Sequence, residues 1–212
     1  LKDHYKYVYP ELKKRGLWGL FFISSKVYLE SEPLAVHMIH MLLDKIGIDK
    51  FTQVIDKELE IYDIKLEDIN DKDIYRYDDP SYARIKMLMN YQLNYDIRDK
   101  IINDIFYKFF TNKSKFCDDI YCSEDELSEM IDSNMIIGSH AHSHRMLSKI
   151  SDLEQYEDLI KSYNYLKKRF GLSNPIFSFP YGHRYTYNTK TLEYLDAIGY
   201  HSSFNTVRDT TC

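Results

Sequence analysis

Apolar positions recur along this chain in two rhythms, one helical and one of short unbroken runs. In residues 2–15, Tyr5, Val8, Tyr9 and Leu12 fall at helical spacing. Lys13, Lys14 and Arg15 complement the negative end of such a helix, and Gly16 suits its stop. Leu17 to Ile23 follows as a continuous apolar run of strand length. Between residues 34 and 111 the helical rhythm returns. His37, Met38, Met41 and Leu42 mark one helix, Phe51 to Ile61 a second, and Ile97 to Phe110 a third, separated by Asn- and Asp-rich connections. Ser123 with Glu126 forms a capping box that opens a helix to about Asp132. Strand 134–138 contains the apolar run Met135-Ile136-Ile137. A second capping box, Ser151 with Glu154, opens a long helix through Phe170, with Gly171 as its stop. Pro175 to Phe179 reads as a short strand ending in the turn Pro180-Tyr181-Gly182. A helix over 188–198 closes at Gly199, and Tyr200 to Phe204 is a last strand.

Strands alternating with helices predict an α/β fold with a parallel sheet or barrel. The expected organisation is a single domain over 1–212, carrying a helical insertion at about 30–118 that serves as a lid or partner surface. In parallel α/β folds the working loops follow the C-terminal ends of the strands. Two segments fall in that position: Gly138-Ser139-His140-Ala141-His142-Ser143-His144, and the turn Pro180-Tyr181-Gly182.

The first segment alternates three histidines over five residues. In an extended chain His140, His142 and His144 share one face. In a helical one His140 and His144 form an i, i+4 pair and His142 swings away. Either geometry brings His140 and His144 near a common point, where neutral imidazole nitrogens could hold zinc or a similar divalent ion. A histidine in a loop is ordinarily a surface or packing residue, so the strand-end position carries the functional reading. His37 and His40 sit at i, i+3 in a Met- and Leu-rich helix and read as packing residues.

Composition narrows the class only a little. With 44% hydrophobic and 29% charged residues, the 212-residue chain is globular in type and long enough for one α/β domain with a large core. A net charge of −5 gives no general attraction to nucleic acid. No stretch approaches the ~20 apolar residues of a membrane span, and no signal peptide is evident, although without an initiating Met Leu1 need not be the natural start. Cys117, Cys122 and Cys212 are odd in number and match no strong zinc spacing, which argues against a disulfide scaffold and points to a cytoplasmic location. Neither P-loop nor Gly-x-Ser-x-Gly stretch is present.

Read together, Gly138-Ser139-His140-Ala141-His142-Ser143-His144-Arg145-Met146-Leu147 resembles the second motif of the polysaccharide deacetylase (NodB-homology, carbohydrate esterase) family. Ala141 stands where that family has Ser or Thr, and Arg145 where it commonly has Pro. Phe177-Ser178-Phe179-Pro180-Tyr181-Gly182, followed by a helix and Gly199-Tyr200, is similar to the third motif, with Ser178 where the family often has Arg. Residues 7–23 are similar to the segment just after the family's first motif, whose Asp-Asp-Gly would fall immediately before Leu1. The likeness spans 1–25 and 120–206 and implies an incomplete (β/α) barrel.

The resemblance also implies a chemistry. It makes this a metal-dependent N-deacetylase of an N-acetylated amino sugar in a glycan or glycan precursor, as in the synthesis of cell-surface polysaccharide. His140 and His144 become ligands of Zn2+ or another divalent ion. The Tyr181 backbone N–H becomes the catalytic oxyanion donor. Pro180, Tyr181, Gly182 and His183 line the substrate groove, and His142 lies behind the ligands or on the surface. The general base and third ligand would be the missing Asp pair, and the general-acid histidine would lie beyond Cys212. Asp78-Asp79 and Asp118-Asp119 are the only Asp-Asp pairs and read as solvated loop carboxylates. A chain with these residues alone is expected not to turn over. The alternative is a catalytically inactive glycan- or partner-binding relative. No oligomeric state follows from the sequence.

Overall fold

The computed structural model describes residues 1–64 and 77–207; Cys212 lies outside them. In chain order, a π-helical stretch His4–Val8 leads into α1 (Tyr9–Lys14), then β1 (Leu20–Ile23) and α2 (Lys26–Leu29). There follow α3 (Ala35–Ile46), α4 (Ile48–Ile61), α5 (Pro80–Met87) with a π-helical continuation Leu88–Gln92, α6 (Tyr95–Phe109) and α7 (Lys113–Ile120). The chain ends with α8 (Glu124–Asp132), β2 (Ile136–Ser139), α9 (Asp152–Phe170), β3 (Phe177–Ser178), α10 (Thr189–Ile198) and β4 (Ser203–Phe204). Two compact units result. One is Leu1–Glu32 with Asn112–Cys212, the other Pro33–Thr111.

The first unit is α/β. Its four strands lie in the order β1-β2-β3-β4, and every neighbouring pair is parallel. Leu20 pairs with Ile136 and Ile23 with Ser139, so β1 and β2 end level. Ser139 pairs with Phe177, and Phe177 with Ser203. Gly138 is required by close packing, since a Cβ there would stand 2.7 Å from Ile176 and 2.8 Å from Phe22. One apolar cluster joins Phe21, Leu127, Met130, Ile137 and Leu166, and a second joins Leu147, Leu159, Phe177, Phe179 and Leu195. Both capping boxes form as the spacing predicts, at Ser123/Glu126 and Ser151/Glu154. Gly171 and Gly199 end α9 and α10 in left-handed conformations.

The second unit is helical. Phe51, Ile55 and Leu59 repeat every fourth residue and are buried along α4. Met38, Ile39, Leu42 and Leu43 do the same for α3, which packs on α4 and on α6. Helix α5 lies in a stretch expected to be an Asn- and Asp-rich connection, and it opens on Pro80. At the first helical position its fixed φ and missing N–H cost nothing, and the Asp79 side chain caps the Ser81 N–H at 2.9 Å.

Other expectations are corrected. The apolar run Leu17–Ile23 is strand only from Leu20, and Leu17 and Trp18 are more than half exposed. Asp118 and Asp119 are not loop carboxylates but stand exposed in α7, a helix the sequence reading also lacks. No helix among the described residues is long and apolar enough to cross a membrane.

Candidate metal and oxyanion site

Parallel pairing brings the C-terminal ends of β2 and β3 side by side, and the two segments singled out above leave the sheet there. His140 still belongs to the ladder, its N–H donating to the Ile23 carbonyl at 2.8 Å. Past it the chain is neither extended nor helical. Ala141 and His144 both take positive φ, 61° and 59°, a conformation L-residues adopt only under constraint. This bend turns the His144 ring back to His140. The ring centroids lie 4.8 Å apart at an interplanar angle of 72°.

His140 is oriented by its neighbour strand. Its Nδ1 lies 2.8 Å from the Ser178 carbonyl, so Nδ1 carries the proton and Nε2 keeps its lone pair. The Ser178 backbone does this whatever side chain occupies the position. Burial holds the His140 imidazole below its ordinary pKa, against the opposing Ser178 bond. The ring is therefore neutral at physiological pH, as a metal ligand must be.

Tyr181 completes the arrangement. Its ring meets the His144 ring edge-on at 5.2 Å, and its φ is 65°. Gly182 follows at φ 73°, and a Cβ there would stand 2.7 Å from the Thr206 side chain, so only glycine fits the turn. Thr206 N–H donates to the Gly182 carbonyl at 3.0 Å, pinning the turn to the chain beyond β4. Pro180 is buried beneath it. His183 is exposed and stacks in parallel on Tyr185, with centroids 5.3 Å apart.

His142 is not the surface residue that the sequence allowed. It is buried, and both ring nitrogens are engaged away from the pair: Nδ1 with the Ser25 hydroxyl and Nε2 with Glu30 Oε1, each at 2.9 Å. Burial pushes its pKa down, against the pull of Asp158 and Glu30. A neutral ring fits these partners if Nε2–H donates to Glu30 and Nδ1 accepts from Ser25. Glu30 also accepts from Lys161 Nζ at 2.6 Å. The loop carbonyls are received by the segment after β1, where Ser24 Oγ donates to His140 O at 2.9 Å and Lys26 N–H to His142 O at 3.1 Å.

A carboxylate missed by sequence reasoning closes the loop from the other side. Asp158 on α9 accepts from the His142 N–H at 2.6 Å, the Ser143 N–H at 3.0 Å and the Ser143 hydroxyl. A signal for it existed. Gln155, Asp158 and Ser162 sit on the same buried stripe of α9 as Leu159 and Leu166, and polar residues at core-facing helical positions need partners.

The donor chemistry suits a divalent ion: a neutral imidazole with a free-facing Nε2 at His140 and a second ring beside it. Two imidazoles are half of a tetrahedral shell. Among the described residues, no group of three or more His, Cys, Asp or Glu side chains is placed to hold a metal ion.

Residues 103–203 match the family model for polysaccharide deacetylase. Solved structures similar to the chain include a Streptococcus pyogenes deacetylase PplD in complex with acetate, at 24% identity and a TM-score of 0.35, covering 37% of this chain and 34% of that one. IcaB from Ammonifex degensii is similar at 25% identity and TM-score 0.35, covering 40% of each chain. A family 4 carbohydrate esterase from Streptomyces lividans in complex with acetate is similar at 14% identity and TM-score 0.34, covering 37% of this chain and 40% of that one. The chain thus spans 34–40% of the length of these structures. No curated protein matches it.

Proposed function

We propose that this chain is a polysaccharide deacetylase, the family whose model matches residues 103–203, and that the site serves hydrolysis of the acetyl amide of an N-acetylated amino sugar in a glycan or glycan precursor. The observation that carries the reading is the meeting of His140 and His144 at 4.8 Å, beside Tyr181, where parallel strands end. In this reading His140 and His144 hold Zn2+ or another divalent ion, His140 through Nε2. When bound, such an ion polarises the amide carbonyl and lowers the pKa of a water molecule.

The remaining roles fall to the chain itself. Hydrolysis passes through a tetrahedral oxyanion, and the Tyr181 backbone N–H is assigned as its donor. The positive φ of Tyr181 and the glycine-only turn after it hold that N–H in a fixed direction. His183 is exposed beside the turn and is assigned to the wall against which the sugar lies, with the buried Pro180 and Gly182 shaping that wall from behind. Asp158 is no general base, because both of its oxygens accept from the histidine loop. Asp78 is paired with Lys86 at 2.7 Å and Asp79 caps α5, which removes that Asp-Asp pair as well. The helical unit Pro33–Thr111 is taken to be an insertion into the deacetylase domain.

The test is acetate release from N-acetylglucosamine oligomers by the full-length protein, before and after removal of metal by a chelator. Activity that disappears on chelation and returns with Zn2+ or another divalent ion supports the reading. Activity indifferent to chelation sinks it. Saturable oligomer binding without acetate release, unchanged by chelator, would make this a glycan-binding relative instead.

A further inference from the structure

We propose that Asp158 is a positioning residue for the histidine loop: its buried carboxylate holds the backbone bend that brings His140 and His144 to one point. The inference rests on the reading of those two histidines as metal ligands.

The geometry of the bend is what needs a cause. If residues 140–144 stayed extended, four steps of about 3.3 Å would put the two Cα atoms about 13 Å apart. Imidazoles that share an ion at about 2.0–2.1 Å each cannot be so far separated, so the expectation that an extended loop would also bring the two together is corrected. The observed bend instead places residues at positive φ on both sides of His142 and Ser143, a conformation that persists only where surrounding structure holds it. Asp158 acts on the peptides between them. Oδ1 takes the His142 N–H at 2.6 Å and Oδ2 takes the Ser143 N–H at 3.0 Å, so one carboxylate aims two consecutive amides at itself. The Ser143 hydroxyl donates to the same Oδ2. Bonds to an ionised acceptor are roughly twice as strong as neutral ones, and Asp158 is only 8% exposed, so water competes little for them. Its place on α9 couples this constraint to the apolar cluster that includes Leu159 and Phe177.

The test uses the full-length protein, stripped of metal, with Zn2+ alone as the calorimetric probe and amide exchange over 140–144 as a second readout. Asp158→Asn is expected to weaken Zn2+ binding about 10–100-fold, the range for groups that orient ligands. The His142 and Ser143 amides should exchange faster in the same variant. Ser143→Ala, which removes only the hydroxyl bond, should move both readouts the same way by less. Tyr163→Phe is the control. It deletes a 2.5 Å bond from α9 to the Ser173 carbonyl, and should lower the thermal midpoint with Zn2+ affinity unchanged. A folded Asp158→Asn protein with wild-type affinity overturns the inference. Should that variant not fold, Ser143→Ala with wild-type affinity and exchange overturns it equally. A different pattern, with wild type binding Zn2+ no better than His144→Ala, overturns the metal reading and this inference with it.

Discussion

Two pairs of histidines stand in this chain at nearly the same spacing, and they differ in everything else. His37 and His40 lie on α3, a regular helix whose buried face is Met38, Ile39, Leu42 and Leu43. His37 is half-buried and His40 exposed, and the helix backbone around them is satisfied by its own ladder. His140 and His144 lie in a bend with two positive φ angles, received by Ser24, Lys26 and Asp158. Spacing alone is therefore a poor marker of a metal site. What separates the pairs is the amount of surrounding structure spent on holding one of them still.

The sharpest way to break the comparison is to remove each pair. His140→Ala or His144→Ala should abolish retained divalent metal and acetate release together in the full-length protein. The double variant His37→Ala with His40→Ala should keep both. Metal content after dialysis and acetate release decide it, and equal losses from the two pairs would erase the distinction between them.

Two glycines at positive φ offer a second contrast. Gly182 in the oxyanion turn has φ 73° and no room for a Cβ, whereas Gly47 after α3 has φ 77° and nothing within 4 Å. Gly47, at φ 77° and ψ 159°, lies in a region essentially reserved for glycine, so Gly47→Ala should cost about 1–3 kcal/mol from backbone strain. Gly182→Ala adds the clash with Thr206 to that strain, so its thermal midpoint should fall further and acetate release should fall with it. A smaller midpoint loss at Gly182 than at Gly47 would show that Thr206 yields and that the turn is not rigid.

Helix caps provide a milder probe. Ser151→Ala in the α/β unit and Asn94→Ala in the helical unit each remove a side-chain bond to the first turn, at 3.4 Å and 2.8 Å. Each should cost about 1 kcal/mol, or about 2–4 °C of midpoint. Hydrogen exchange should loosen α9 in the first variant and α6 in the second. Faster exchange of the Ser143 amide in the Ser151 variant alone would sharpen the link between α9 and the loop.

Acid titration should produce the smallest effect. Burial pushes the Glu124 carboxyl up, but bonds from Arg169 and Tyr165, both at 2.8 Å, outweigh it and hold the group below its ordinary value of 4.5. A lowered folded-state value means this contribution is present above the ordinary value and is lost as pH falls through the lowered one. Glu124→Gln should therefore lower the thermal midpoint slightly at neutral pH and converge with wild type as pH falls below about 4.5. A midpoint curve superimposable on wild type would show that the α8 to α9 ion pair contributes nothing.

Much of this fold was legible before any coordinates, for a physical reason. Capping boxes, helix stops and apolar periodicity arise from contacts within a few residues, so Ser123, Ser151, Gly171 and Gly199 announce their roles locally. The parallel sheet followed from the alternation of strands and helices. The failures were also local conflicts. Pro80 starts a helix in a stretch that looks like an Asn- and Asp-rich connection, and Asp118-Asp119 ride on another such helix.

The histidine loop divides along the same line. Residue types and strand-end position pointed to His140, His144 and Tyr181 as a group. The bend that joins them was not readable, because its causes lie far away in the chain. Asp158 is sixteen residues beyond His142, and Glu30 is 112 residues before it. Periodicity reports how a segment folds on itself, and so the sheet, the helices and the candidate ligands could be read directly. Positive φ angles, the engagement of His142 away from its neighbours and the protonated nitrogen of His140 come from partners that meet only after the strands pair. Those features belong to the packed molecule.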